Sequence, residues 1–107
     1  MKTVVILDDS EDVRDELLRR FTIAGWVVYT AKSLHEYRQL APMFPVNVLI
    51  VDLMLPDGSG RSVIGHSGPQ VIVFSGDDTP LKGVFAQVTK PHSLGDIVRL
   101  AEAAIIR

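Results

Sequence analysis

Short apolar runs that end in polar residues recur along the 107-residue chain, and this pattern most constrains its fold. The first run, residues 3–7, ends in Asp8 and Asp9, and the nearly all-apolar run 46–51 ends in Asp52. An uninterrupted apolar run is typical of a strand that helices cover on both faces, as in parallel α/β sheets. In such sheets, ligands bind beyond the carboxyl ends of the strands. The three acids are therefore expected in one crevice.

Carboxylates that share a crevice repel each other, and each then favours its protonated form. A divalent cation removes this cost, and Mg²⁺ prefers carboxylate and carbonyl oxygens while it keeps part of its water shell. We therefore predict a magnesium site at Asp8, Asp9 and Asp52, completed by the backbone carbonyl near Met54. The alternative is that Asp8 and Asp9 are ordinary acids at the amino terminus of a helix, where the helix dipole favours them.

Helical patterns separate the apolar runs. Ser10 is placed to cap a first helix, and Ser33 with Glu36 forms a capping box for a second helix, which Pro42 ends. Residues 93–96 open a last helix. The other predicted strands are 26–30, 71–74 and 84–88. Strands that alternate with helices along the chain predict an α/β domain with a parallel sheet.

The connections after the third and fourth predicted strands are short. Residues 61–67 leave room for about two helical turns, and only residues 77–83 precede the fifth strand. A crossover between parallel strands usually needs roughly a dozen residues or more. We therefore predict a shortened third helix region and a fourth helix reduced to a loop. This loss is expected to leave the apolar strand 71–74 uncovered, as a possible protein interface.

The remaining strand ends carry the Ser75 hydroxyl and the Lys90 ammonium, which together with the acids indicate phosphoryl transfer to a carboxylate. A carboxylate acts as a nucleophile when a cation neutralises the oxygens of the transferred group. Asp52 is the predicted phosphoacceptor. Lys90 would pair with one phosphoryl oxygen, and Ser75 would donate a hydrogen bond to another. The simpler alternatives are a solvated lysine and a turn serine.

In order and placement, these residues resemble the receiver domains of bacterial response regulators, the phosphoacceptor modules of two-component signalling. The matching segments are Ile6–Asp9, Asp52–Gly60, Val73–Gly76 and Thr89–Pro91. They cover nearly the whole chain. The resemblance implies a flavodoxin-like (βα)5 three-layer sandwich with a parallel five-stranded sheet in the order 2-1-3-4-5. It also implies a cis Lys90–Pro91 bond, which an X-Pro amide permits at modest cost.

The resemblance implies a signalling domain rather than an enzyme with a diffusible substrate. Magnesium-dependent transfer from a sensor histidine kinase or phosphotransfer protein to Asp52 would switch a protein-interaction surface. A homodimer through the fourth strand, the fifth strand and the last helix is a further implication. A phosphohydrolase that uses Asp52 as its nucleophile is a more remote hypothesis, since no separate acid or base is evident.

Two departures from the receiver pattern favour an alternative function. Receivers usually carry an aromatic residue three positions before the lysine, where this chain has Gln87, and the fourth helix is missing. Both departures are compatible with a domain that acts as a phosphorylation-independent dimerisation or partner-binding module.

Composition narrows the remaining function classes. The net charge is −2 and no basic patch is dense, so this domain itself is not expected to bind nucleic acid, although a DNA-binding effector domain is compatible with the full protein. The chain has no cysteine, which excludes thiol catalysis and disulfides. No apolar stretch approaches the length of a bilayer. We predict one cytoplasmic domain over residues 1–107, with no membrane association.

Overall fold

The structure is a computed structural model that describes residues 1–65 and 68–106. In chain order its strands are β1 (Thr3–Leu7), β2 (Val27–Ala31), β3 (Val48–Val51), β4 (Met54–Leu55), β5 (Gly58–Ser59), β6 (Gln70–Ser75) and β7 (Ala86–Thr89). The α-helices are α1 (Glu11–Ile23), α2 (Leu34–Leu40) and α3 (Leu94–Ala104). Two 3-10 turns lie at Ala41–Met43 and Gly60–Val63.

Five of the strands form one parallel sheet in the order β2-β1-β3-β6-β7, while β4 and β5 form a small antiparallel hairpin. With that hairpin set aside, the order is the predicted 2-1-3-4-5, and the flavodoxin-like α/β class is confirmed. The third strand begins at Val48 rather than at the predicted Val46. Asn47 instead brackets the start of β1, since its side-chain oxygen accepts the Thr3 N–H at 2.8 Å and its own N–H donates to the Thr3 carbonyl.

The helix boundaries follow the predicted signals closely. The Ser10 hydroxyl accepts the Val13 N–H, and the Ser33 hydroxyl accepts the Glu36 N–H at 3.1 Å. Pro42 ends α2 as predicted, and the chain continues as a 3-10 turn because proline fits the first positions of a helical turn. Ser93 occupies the cap position of α3 without a side-chain cap hydrogen bond, and its backbone carbonyl accepts the Asp96 N–H instead.

Two apolar layers flank the sheet and complete the predicted three-layer sandwich. We call the face under α1 and α3 the helical face, and its main residues are Val4, Ile6, Leu17, Phe21, Val48, Ile50, Ile72, Phe74, Ile97 and Ala101. We call the face under α2 the loop face, and its main residues are Val5, Leu7, Leu34, Tyr37, Leu49, Val51, Leu53, Val71 and Val73. Alternate residues of each strand thus enter opposite cores, as the two-residue repeat of a strand requires.

The connection after β6 contains no helix at any of residues 76–85, all of which the structure describes. The predicted shortened third helix region, residues 61–67, begins within the 3-10 turn Gly60–Val63. Its last two residues, 66 and 67, lie outside the described residues. The prediction that the loss of the helix leaves strand 71–74 uncovered is wrong, because Val71, Ile72, Val73 and Phe74 are only 4%, 0%, 0% and 2% exposed. Leu81 and Val84 of the loop pack on the loop face in place of a helix.

Within the described ranges, no helix combines the length and the apolar character that crossing a bilayer would require.

Candidate functional site

Parallel pairing brings four of the predicted residues to one edge of the sheet. The register pairs Leu7 with Val51, and the N–H of Asp52 donates to the Leu7 carbonyl at 2.9 Å. On the other side of β3, β6 and β7 are aligned so that Ser75 pairs with Thr89. Asp8, Asp52, Ser75 and Lys90 therefore meet because each ends a strand or directly follows one, and the backbone ladder sets their spacing.

Asp52 is held by three hydrogen bonds that orient its carboxylate. The side chain is buried, with a residue exposure of 6%. Its Oδ1 atom accepts the Ser75 hydroxyl at 2.7 Å and the Met54 backbone N–H at 3.0 Å. Its Oδ2 atom accepts the Lys90 ammonium at 3.0 Å. The predicted acceptor, hydroxyl and lysine thus form one connected group.

Lys90 bridges the two buried acids of the site. Its Nζ atom lies 2.7 Å from Asp8 Oδ2 and 3.0 Å from Asp52 Oδ2, and 5.3 Å from the centre of the Phe74 ring. Partial burial lowers the pKa of Lys90, but the hydrogen bonds and charges of Asp8 and Asp52 outweigh that effect and raise the pKa above its ordinary value. The ammonium is therefore charged at neutral pH.

Asp8 has a raised pKa even though it forms an ion pair. Burial is the largest cause and raises the pKa, whereas the Lys90 ammonium and the Ser10 N–H, which donates to Oδ1 at 2.9 Å, lower it. The neighbouring Asp52 charge adds to the increase. Burial and a like charge are the conditions under which a bound cation would favour the ionised form most.

The three predicted metal ligands lie close enough for a shared ion. Asp8, Asp9 and Asp52 each offer one carboxylate oxygen, and these atoms lie within 4.8 Å of one another. Opposite ligands of an octahedral Mg²⁺ are about 4 Å apart, so small side-chain rotations bring the oxygens into range. Asp8 and Asp52 are buried while Asp9 is exposed. The acidic, oxygen-only set fits a hard divalent cation, and the Met54 carbonyl as a further ligand stays a prediction.

Gly60 is a site residue that sequence reasoning did not single out for its geometry. A Cβ atom at this position would lie 2.2 Å from the Asp52 carbonyl oxygen and 2.9 Å from Val51 Cγ2. The chain that leaves Asp52 therefore returns too close to the strand for any side chain. The two glycines of the turn, Gly58 and Gly60, were the available signal, since glycine permits close approach of two backbones.

Asp57 was predicted to be a turn residue, and the structure gives it a second role. Its carboxylate accepts the backbone N–H groups of Leu34 and His35, both at 2.9 Å, and so caps α2 from a distant part of the chain. These two hydrogen bonds hold the pKa of Asp57 below its ordinary value. The segment that follows Asp52 is thus tied directly to α2.

Arg14 also escaped prediction. Its guanidinium donates to the Asp8 backbone carbonyl at 2.7 Å, which ties the first turn of α1 to the end of β1.

The predicted cis peptide bond between Lys90 and Pro91 is present.

The chain is similar to known proteins both in sequence and in fold. No protein-family model matches the chain. Response regulator RR06 of Streptococcus pneumoniae is 30% identical over 115 residues, which cover 97% of this chain and 53% of that protein. The NtrC4 receiver domain, solved as a beryllofluoride-activated dimer, has a TM-score of 0.84 and 26% identity, over 97% of this chain and 96% of that chain.

A further solved structure shares the fold at lower identity. A response regulator of Burkholderia pseudomallei, solved with a phosphorylated aspartic acid, a calcium ion and citrate, has a TM-score of 0.84 and 23% identity, over 94% of this chain and 66% of that chain. The present chain spans about half the length of the first curated relatives, 53% and 52%. The similarity therefore concerns one domain of those longer proteins.

Proposed function

This chain belongs to the receiver domains of response regulators, and on that premise we propose that Asp52 accepts a phosphoryl group in two-component signal transduction. The observation that carries the proposal is the convergence on one carboxylate of the Ser75 hydroxyl at 2.7 Å and the Lys90 ammonium at 3.0 Å. Both groups donate hydrogen bonds, and both are therefore suited to the oxygens of a transferred phosphoryl group. A cytoplasmic signalling domain, rather than a metabolic enzyme, follows from this proposal.

The transfer step requires little of the protein besides position and charge. A carboxylate oxygen of Asp52 forms a bond to phosphorus while the bond between phosphorus and the donor nitrogen or oxygen breaks, and the donor atom keeps the electron pair. Lys90 pairs with one phosphoryl oxygen, and the Ser75 hydroxyl turns from Asp52 Oδ1 to donate to another. The Met54 N–H, which donates to Asp52 Oδ1, helps to orient the carboxylate for this step.

Asp8, Asp9 and Asp52 are the residues that would hold Mg²⁺, together with the backbone carbonyl of Met54. When bound, the ion supplies positive charge to the oxygens of the transferred group. The support is the oxygen-only donor set and the raised pKa of the buried Asp8. A calcium ion accompanies the phosphorylated aspartate of the Burkholderia pseudomallei protein, so other hard divalent cations are the natural comparison for Mg²⁺.

A sensor histidine kinase or a phosphotransfer protein is the proposed phosphoryl donor. Relatives carry names such as transcriptional regulatory protein FixJ of Rhizobium meliloti. We therefore propose a DNA-binding effector domain for a longer form of this protein.

For the domain itself we propose a homodimer through β6, β7 and α3. The NtrC4 receiver domain was solved as a dimer, and Phe85 beside β7 is 43% exposed here.

Intact-protein mass spectrometry tests the proposal directly. After incubation with Mg²⁺ and acetyl phosphate, we expect wild-type protein to gain the mass of one phosphoryl group and Asp52→Asn to gain none. Asp15→Asn, which changes an exposed aspartate of α1, is the matched control and should react as wild type does. Removal of Mg²⁺ by a chelator should abolish the adduct, and addition of Ca²⁺ or Mg²⁺ should reveal which cation restores it.

The same experiment separates the alternative module that acts without phosphorylation. That alternative is not favoured, since Asp52, Ser75 and Lys90 form one hydrogen-bonded group that interface packing alone does not require. An unmodified wild type, or an equal adduct on Asp52→Asn, would contradict phosphorylation of Asp52 and return the alternative to first place.

A further inference from the structure

Arg14 lies in the most acidic stretch of the chain, yet it contacts a backbone carbonyl instead of a carboxylate. Residues 11–16 include four acids, and Arg19 and Arg20 of the same helix both form ion pairs with Glu16. Arg14 is half-buried, and across the part of the chain that the structure describes it forms no ion pair within 4.0 Å. Its guanidinium is therefore directed away from the acids of its own helix and towards the end of β1.

The carbonyl that Arg14 contacts belongs to the peptide group between two of the proposed metal ligands. Arg14 Nη1 donates to the Asp8 carbonyl oxygen at 2.7 Å, and that oxygen is part of the peptide group that joins Asp8 to Asp9. A peptide group is planar, so a contact that restrains its oxygen also restrains the nitrogen and Cα atoms of Asp9. Arg14 thus acts on the relative position of the two acids.

The two acids depend on this contact to different extents. The N–H of Asp8 donates to the Ala31 carbonyl at 3.0 Å, and its carboxylate accepts the Ser10 N–H at 2.9 Å and the Lys90 ammonium at 2.7 Å. Asp9 is exposed, and among the described residues no comparable hydrogen bond holds its carboxylate. The direction of the Asp9 side chain is therefore set by its backbone, which the Arg14 contact restrains.

The relative position of ligand oxygens matters more to Mg²⁺ than to Ca²⁺. Mg²⁺ requires nearly ideal octahedral geometry with oxygens at about 2.0–2.1 Å, whereas Ca²⁺ accepts roughly six to eight oxygens at about 2.3–2.6 Å in flexible arrangements. Groups that orient metal ligands from outside the coordination shell change metal affinity by about 10- to 100-fold. A contact that orients the peptide between two ligands can therefore discriminate between two ions of equal charge.

We propose that Arg14 is a positioning residue that holds the Asp8–Asp9 peptide in the geometry that Mg²⁺ requires, and so favours Mg²⁺ over Ca²⁺. This inference rests on the proposed function, in which Asp8, Asp9 and Asp52 hold the ion. The guanidinium charge by itself opposes the binding of any cation, and to the same extent for two ions of equal charge. The ratio of the two affinities therefore separates a role in position from a role in charge.

The test is a pair of titrations of the full chain, one with Mg²⁺ and one with Ca²⁺, after treatment with a chelator and without a phosphoryl donor. The shift of the Leu53 backbone amide, next to Asp52, reports binding, and we expect saturation with both ions in the wild type. Arg14→Met removes the donor but keeps a long side chain. It should raise the Mg²⁺ concentration at half-saturation about tenfold, and the Ca²⁺ concentration by a smaller factor.

Two further variants complete the experiment. Arg14→Lys keeps the positive charge and a donor on a shorter side chain, and its half-saturation with Mg²⁺ should lie between those of wild type and Arg14→Met. Arg19→Met removes one positive charge from an exposed position of α1 and is the matched control, which should bind both ions as wild type does.

The possible outcomes separate this inference from the proposed function. Tighter binding of both ions by Arg14→Met would assign the effect to charge, and equal weakening for both ions would assign it to a general loss of structure. Either result, or an unchanged ratio of affinities, would overturn the positioning role alone. No saturable shift with Mg²⁺ in the wild type would overturn the proposed metal site together with this inference.

Discussion

The helical face and the loop face bury comparable parts of the same sheet with very different amounts of helix. The helical face lies under α1 and α3, of 13 and 11 residues, whereas the loop face lies under the seven-residue α2 and irregular chain. Both faces nonetheless exclude solvent, since Ile72 and Val73, which point to opposite faces, are each 0% exposed. Apolar side chains exclude solvent from a sheet face, and either a helix or an irregular segment can supply them.

The difference between the faces lies in how the covering backbone is satisfied. Helices on the helical face pair their own N–H and C=O groups, but the loop face draws on side chains such as Asp57, Asp77 and Gln87 for this purpose. Segments that depend on a few such contacts open at lower free energy than packed helices. The loop face is therefore expected to open at lower free energy than the helical face.

Truncation of a core leucine on the helical face should have the largest effect. Leu17 of α1 is fully buried, and Leu17→Ala is expected to lower the free energy of unfolding by about 3–5 kcal/mol because it leaves a cavity between helix and sheet. Chemical denaturation monitored by circular dichroism measures the loss. Leu18→Ala, on the same helix but 38% exposed, is the control and should cost much less.

The same truncation on the loop face should cost less. Leu81 is half-buried in the loop that replaces a helix, and Leu81→Ala is expected to lower the free energy of unfolding by about 1 kcal/mol, since the loop can settle into the space. The neighbouring exposed Lys82→Ala serves as the control. A loss equal to that of Leu17→Ala would contradict the distinction between the two faces.

The residues of the site were predictable because each depends on strand order alone. Asp8, Asp52, Ser75 and Lys90 follow apolar runs, and the carboxyl ends of parallel strands meet at one edge whatever the details of packing. The helices α1 and α2 were equally accessible, since serine caps mark their first turns. The local sequence pattern and the parallel direction of the strands were therefore enough to predict the strand-end residues and the starts of α1 and α2.

The remaining features depend on which distant segments meet, and no local pattern encodes that. The cap that Asp57 provides requires the turn after β4 to lie against α2, 22 or 23 residues away in the chain. The partners of Gln87 are backbone groups of an irregular loop, whose path has no periodicity to read. For the same reason, the packing of Leu81 and Val84 against the loop face was not anticipated.

The smallest expected effect concerns the cap that the Asp57 carboxylate forms on α2, at the loop face. The Leu34 and His35 N–H groups lower the pKa of Asp57 in the folded state, so the unfolded state binds its proton more readily and stability rises with pH. The contribution of Asp57 is complete above its unfolded pKa and is lost as the pH falls through its lower, folded pKa. Asp57→Asn should therefore destabilise the domain slightly at neutral pH, by less than Leu81→Ala, and the difference from wild type should shrink in acid.

Urea denaturation at a series of pH values measures this dependence. Asp78→Asn, which changes an exposed aspartate of the loop 76–85, is the matched control for removal of one negative charge from the surface. A wild-type advantage over Asp57→Asn that grows as the pH falls, or one that Asp78→Asn reproduces, would contradict the cap. If the difference in stability from wild type shrinks in acid for Asp57→Asn but not for Asp78→Asn, the loop face draws part of its stability from a charged cap in addition to its buried apolar contacts.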